Sequence, residues 1–364
     1  MTKYLSRKIK FMSLFMMIGV VFLHSYNYKD DFLTPSTAIS EGFNPAAMFE
    51  FFISNGIVRM CVPMFFAISG YLFFRTFRPS LKCYRYKLKS RFFSLAVPYL
   101  IWSLLSLGFV FLMSIPDFTA QLPVIQQNLP QNGIDLAYIV KCIINPPSFQ
   151  LWYVQQLIIF TVISPLIYLM IKYTKGIIVV PIAVLWLMDL SFIINSEAAF
   201  FYMLGACIAI FDREDLILIK ESRGFCAVIT TVWILINLIK TFIAAIGEQD
   251  NMFLTVARFG LTKISILLGL VSMWLLFDHI VKRIQYKKGL LLLSGHMFFI
   301  YTLHEPLLHM CYQLALRLDA SNPAHIALYI CLPISIIAFS VIVSMCVRKL
   351  CLPLHKVLTG NRSN

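Results

Sequence analysis

The chain has 364 residues, of which 59% are hydrophobic and 13% charged, and a formal net charge of +14. Soluble domains have about half apolar and about a quarter charged residues, so this composition excludes an ordinary soluble enzyme. Apolar stretches of about twenty residues recur along the chain. In lipid, exposed backbone groups find no partners, so such stretches must be helices.

The pattern predicts an all-α, polytopic integral membrane protein with about ten transmembrane helices. They fall roughly at 10–28, 48–74, 92–114, 151–171, 177–194, 197–211, 225–246, 260–281, 290–313 and 325–347. A single domain covers 1–364, with short tails at 1–9 and 348–364. Most of the 31 Lys and Arg residues lie at the N-terminus, in the links at 75–91, 172–175, 211–224 and 282–288, and after 347. The alternate links are poor in them, so both termini are expected in the cytosol, in a multi-pass protein of the cell (inner) membrane. The positive charge is then topological bias plus attraction to anionic lipid, and no nucleic-acid partner is needed.

The first apolar run lacks a small-residue cleavage site, so it is expected to stay as a span rather than leave as a signal peptide. The nine cysteines lie mostly in apolar runs without CxxC spacing. They read as small buried hydrophobes, and no metal is expected. The longest link, about 115–150, is expected outside the cell, as a substrate-facing lid or as a plain connector.

Several spans carry ionisable groups at a similar depth, converted from sequence at about 1.5 Å per residue. His24 lies about 21 Å above Lys10, Arg59 about 24 Å from Arg75, and Tyr301, His304 and Glu305 about 20–25 Å above Lys288. Lys240 is again about 25 Å past Arg223, and Trp152 and Tyr153 open the fourth span from outside. Isolated ionisable groups at membrane depth are expensive; around a shared wet chamber they become tolerable. A polar chamber in the outer half, open to the outside, is therefore expected. Each member also has a structural reading: His24 as a neutral interhelical histidine, Arg59 snorkelling or paired with Glu305, and His304 and Glu305 satisfying the carbonyl freed by Pro306. Lys240 and His309 read as interfacial.

In RMCVPMFFAISGYLFFRTFR, Pro63 is expected to bend the second span, and Ser69-Gly70 to admit a close backbone. Asn55, Arg59, Phe66 and Gly70 recur at helical spacing. Arg75 and Arg78, one turn apart, form two guanidinium forks suited to phosphate, while the wider cluster also fits positive-inside anchoring.

These residues resemble the membrane-bound acyltransferase-3 family over about 10–350. The resemblance rests on His24 closing the first span, Arg59-x-x-x-Pro63, Phe65-Phe66-x-x-Ser69-Gly70-Tyr71 and Arg75-x-x-Arg78. It continues through Arg91, Pro98-Tyr99-x-x-Trp102, Leu151-Trp152-Tyr153 and Gly205 to Ser294-Gly295-x-x-Phe298-x-Ile300-Tyr301-x-x-His304. It implies an O-acyltransferase that moves acetyl from acetyl-CoA to a hydroxyl of a cell-envelope glycan or lipid-linked sugar. By that resemblance His24 is the essential histidine, Arg75 and Arg78 contact the donor phosphates, and Ser69, Gly70 and Tyr71 shape the acyl path. Members commonly carry Arg or Lys eleven residues before the histidine; Ser13 stands there, and Lys10 is the candidate substitute.

Acyl transfer needs a base for the hydroxyl proton, and a histidine with a near-neutral pKa suits that task. The expected catalytic set is His24 as base, Arg59 as its electrostatic partner, and Tyr301, His304 and Glu305, with Trp152 and Tyr153 against the substrate. A covalent acyl-histidine relay is a variant. The alternative is a transporter or flippase for a polar solute or lipid-linked glycan using the same chamber.

Overall fold

The computed structural model describes residues 2–25, 44–113, 136–217, 223–246, 251–284, 287–315 and 322–361, and every regular element among them is helical. Residues 115–135 of the expected external link, and Lys29 and Arg317, lie outside the described residues.

Helix α1 (Lys3–Leu23) starts where the Thr2 side chain accepts the Leu5 N–H, and ends with His24 as its C-terminal cap. The short α2 (Pro45–Phe51) runs into a π turn, Phe52–Ile57, and a break at residues 58–60 precedes α3 (Cys61–Arg75). Ser80 caps α4 (Leu81–Arg91), so the basic link itself is helical. It continues through a second π turn, Phe92–Ala96, into α5 (Val97–Met113). Helix α6 (Leu136–Ile144) is followed by a 3₁₀ turn, Phe149–Leu151, then α7 (Trp152–Val162) and α8 (Ser164–Tyr173), bent by 67° at Ile163. Pro165 sits in the first turn of α8, where no helical N–H is needed. The remainder is α9 (Val179–Leu187), α10 (Ser196–Ile210), α11 (Arg223–Ile246), α12 (Met252–Ile284), α13 (Lys288–Ser294), α14 (Met297–Ala315), α15 (Asn322–Leu350) and α16 (Leu352–Thr359).

Five of these stretches (Pro45–Arg75, Leu81–Phe109, Arg223–Ala245, Met252–Ile284 and Pro323–Leu350) are long and apolar enough to cross a membrane. There are six if α7 and α8 form one bent span. The described residues are thus all-helical, and the protein is a multi-pass membrane protein. The expected ninth span is broken between α13 and α14, and the helical parts of the fifth and sixth are short. Large apolar side chains on α11, α12 and α15, among them Phe242, Val271 and Ile342, stay exposed, as lipid-facing surfaces do.

The tightest packing joins α3 to α10. A Cβ added at Gly70 would run into the backbone of Tyr202, and one at Gly205 into the backbone of Ala67. Two glycines thus let the helix backbones touch, and dispersion replaces the hydrophobic drive that lipid does not supply.

Three local expectations change. Pro63 does not bend a continuous helix: it occupies the third position of α3, where its missing N–H costs nothing, and the break lies before it. The π turn and break interrupt the helix between Asn55 and Arg59 on one side and Phe66 and Gly70 on the other, so the four do not form one continuous helical face. The Asn55 carbonyl meets Lys240, Arg59 meets Glu197, Phe66 packs on Trp152 and Tyr153, and Gly70 meets Tyr202. The tail is not free either. Trp102 Nε1 donates to the Leu358 carbonyl at 3.1 Å, and buried His355 reaches Ser344 Oγ at 3.0 Å, which in turn meets His296 Nδ1 at 2.7 Å.

Candidate active site

The end of α1 meets α14 where α1 stops. The His24 ring lies 5.4 Å from the His304 ring and 4.9 Å from Phe149, edge-on to the latter. His304 is fully buried. Its Nδ1 is 3.0 Å from the Ile300 carbonyl, which can only accept, so the proton sits on Nδ1 and the Nε2 lone pair is left. Among the described residues that Nε2 has no hydrogen-bond partner. Two imidazoles from separate helices thus lie side by side, His304 buried and His24 half-buried at the cavity wall.

Arg59 sits in the break before α3. It does not pair with Glu305: its Nη1 lies 3.6 Å from Glu197 Oε1 at the start of α10, and Trp186 Nε1 donates to Glu197 Oε2 at 3.3 Å. The π turn that precedes Arg59 is clamped. Ser54 Oγ donates to the Phe22 carbonyl at 2.6 Å and meets Tyr329 Oη at 2.7 Å, while Lys240 Nζ, buried, donates to the Asn55 carbonyl. π turns of this kind re-aim side chains at functional sites. Glu305 is buried, and no hydrogen bond joins it to another described side chain.

Pro306, inside α14, cannot donate to the carbonyl four residues back, that of Thr302. Neither His304 nor Glu305 takes up that carbonyl. Gln150 does, its Nε2 donating at 3.0 Å, while Tyr301 Oη donates back to the Gln150 carbonyl at 2.7 Å. The 3₁₀ turn before α7 is thereby stapled to α14.

A cavity of ≈ 360 Å³ starts at this staple. His24, Gln150 and Tyr301 line one end, and Ser13, Arg91 and Thr359 are also in its wall. Between them lie mainly apolar side chains such as Val20, Phe65, Leu157 and Phe298, with Ser69 and Tyr153 joined by a 2.9 Å hydrogen bond. Trp152 and Tyr153 both line it, their rings packed at a tilt against Phe66. Of the residues expected around one polar chamber, His24, Trp152, Tyr153 and Tyr301 line this cavity, whereas Arg59, His304, Glu305 and Lys240 do not; its wall follows α1 from His24 to Ser13 and reaches Arg91 at the end of the basic helix α4.

The remaining candidates lie elsewhere. Of Ser69-Gly70-Tyr71, only Ser69 faces the cavity; Gly70 is at the α3–α10 contact, and Tyr71 Oη donates to Glu214 Oε1 at 2.7 Å. Arg75 Nε donates to the same oxygen at 2.5 Å. Hydrogen bonds from Tyr71 and then Arg75 hold the Glu214 carboxyl below the usual carboxylate range. Arg78 is exposed near the start of α4, and Lys10 is exposed on α1, off the cavity that Ser13 lines. Arg91 comes instead to the wall, over the Phe73 ring at 5.8 Å. Lys8, five residues before Ser13, is buried against Asp278 at 2.7 Å and over Trp274.

Residues 9–348 match the acyltransferase-domain family that carries the number three. The chain belongs to the acyltransferase-3 family. It is also 25% identical over 370 residues to the succinoglycan biosynthesis protein ExoH of Rhizobium meliloti (strain 1021), covering 98% of this chain and 93% of that protein. No solved structure matches. An acyltransferase-3 protein is an acyltransferase, and the family match takes in all thirteen candidate residues from Lys10 to Glu305.

Gln150, Glu197, Glu214 and Arg91 as a cavity residue did not stand out in the sequence. Only Gln150 left a trace: a proline four residues after Thr302 announces a carbonyl in need of a donor, but not which segment supplies it.

Proposed function

We propose that this acyltransferase moves an acyl group, in the first instance acetyl from acetyl-CoA, onto a hydroxyl of a cell-envelope polysaccharide or its lipid-linked precursor. It would act from the inner membrane, with about ten spans and both termini cytosolic. The single observation that carries the reading is the cavity that joins His24 to Ser13 and Arg91. Its mainly apolar wall suits a flexible thioester arm, and Arg91 in that wall suits the donor's phosphates. The polysaccharide acceptor is supported by the relative's role in succinoglycan biosynthesis.

In this reading Arg91 meets the donor phosphates at the cytosolic end, with Arg78 and with Arg75 once Glu214 releases it. Ser69, Tyr153 and Trp152 flank the arm. His24 removes the proton from the acceptor hydroxyl as its oxygen bonds to the thioester carbon. The tetrahedral oxyanion then collapses, the C–S bond breaks, and His24 returns the proton to the departing thiolate. Arg59, held by Glu197, supplies positive charge beside the developing oxyanion, and Tyr301 keeps the staple in place. His304 packs against the His24 ring and fixes its direction.

His24→Ala removes the base. Acylation of envelope polysaccharide, read by mass spectrometry in cells, is expected to fall by about 10²–10⁴-fold with the protein still in the membrane. Wild-type acylation by that variant rejects the proposal.

A further inference from the structure

Gln150 is 2% exposed and lines the cavity two residues ahead of α7. Its side chain has one possible orientation. The Thr302 carbonyl, freed by Pro306, can only accept, so the amide nitrogen points to it and the oxygen points away. That oxygen, Oε1, is buried and has no hydrogen-bond partner among the described residues. The Tyr301 hydroxyl pins the Gln150 backbone from the same helix, so the side chain has little freedom to turn elsewhere. A buried acceptor held open in this way asks for a donor from whatever fills the cavity.

The position limits which donor. Phe149, the preceding residue, touches the His24 ring, so Gln150 sits beside the reacting end of the passage. A thioester of a pantetheine arm carries an amide N–H two methylenes from its sulfur. Two methylenes keep that N–H within about 5 Å of the thioester carbon, and His24 and Gln150 line the same cavity. The neighbouring wall, with Val20, Leu157 and Phe298, is apolar, and an amide N–H there would otherwise be buried unpaired.

We propose that Gln150 Oε1 accepts a hydrogen bond from the amide N–H nearest the sulfur of the acyl donor, and so sets how far the thioester reaches toward His24. The inference rests on the acyl-donor reading above. Proline, in this account, orients a substrate ligand from the neighbouring helix by leaving one carbonyl free.

The test compares binding of S-acetyl-pantetheine with its analogue N-methylated at that amide, to purified full-length protein in detergent. Wild type is expected to bind the unmethylated thioester about tenfold more tightly. In Gln150→Leu the ratio should fall toward one. Pro306→Ala, which restores the helical N–H to the Thr302 carbonyl and releases Gln150, should lower it as well and serves where the first variant does not fold. Equal binding by wild type, or an unchanged ratio in a folded variant, overturns this inference alone. Failure of wild type to bind either thioester, or acetyl-CoA, overturns the acyl-donor reading and this inference with it.

Discussion

Replacing Ser13 by Trp tests whether the cavity is the donor's path. Ser13 and His24 lie eleven residues apart on α1, about 16 Å along its axis, and both line the same cavity. An indole at position 13 would project into a passage of ≈ 360 Å³ that its hydroxyl now borders. It fills existing space rather than packed core, so the protein is expected to fold and to keep His24, His304 and Gln150 as they are. An arm stopped there leaves the thioester many ångströms short of His24. Misplacing a reacting group by about 1 Å costs about 10²-fold, so the loss with Ser13→Trp should exceed about a hundredfold. The assay is transfer of labelled acetyl from acetyl-CoA to membranes that lack the native protein, with the amount of each variant matched. Ser13→Ala is the control and should stay near wild type. Transfer by Ser13→Trp at the wild-type rate would refute the route. So would an equal loss in Ser13→Ala, which would make the hydroxyl, not the open passage, the feature that matters.

Gly205→Val forces a side chain into the backbone of Ala67 and Tyr71, which cannot rotate away, so a loss of about 1–3 kcal/mol or more is expected from overpacking. Thermal unfolding in detergent should show it, with Gly108→Val, which meets nothing within 4 Å, unchanged. The docked α16 should respond to pH. Burial, then His296 and Arg348, hold the His355 ring below the ordinary histidine range. A histidine whose folded pKa is depressed stabilises docking fully above its ordinary value of about 6.5 and loses that contribution as pH falls through it. Protonation also removes the ring's capacity to accept from Ser344, while Ser344 is already engaged with His296. Hydrogen exchange at 352–359 should therefore speed up between pH 7.5 and 5.5 beyond the change expected from intrinsic rates, and His355→Phe should abolish the excess. Protection that is identical after that correction would count against the account.

The membrane character and the family were legible in the sequence because each rests on local information. Apolar length alone identifies a helix in lipid, and His24, Arg59 and the Ser69-Gly70 pair stand in a readable order. Depth counting also brought His24 and His304 to one level, because helical rise converts position into height without knowledge of the neighbours. Direction around the helix is another matter. Arg59 turned to Glu197 rather than Glu305: a π turn precedes it and it lies in the break itself, where the register of a continuous helix is not kept. Arg75 was read as a free fork, yet Glu214 from a distant link holds it.

What the chain determined by itself, then, is a set of lipid-crossing helices with costly polar groups at matching heights. Only the tertiary structure decided that His24 and Tyr301 line one cavity with Ser13 and Arg91, and that Gln150 answers the carbonyl freed by Pro306. The reason is that lipid enforces helix and depth residue by residue, whereas a cavity and a cross-helix hydrogen bond exist only once separate segments have chosen which faces to turn toward each other.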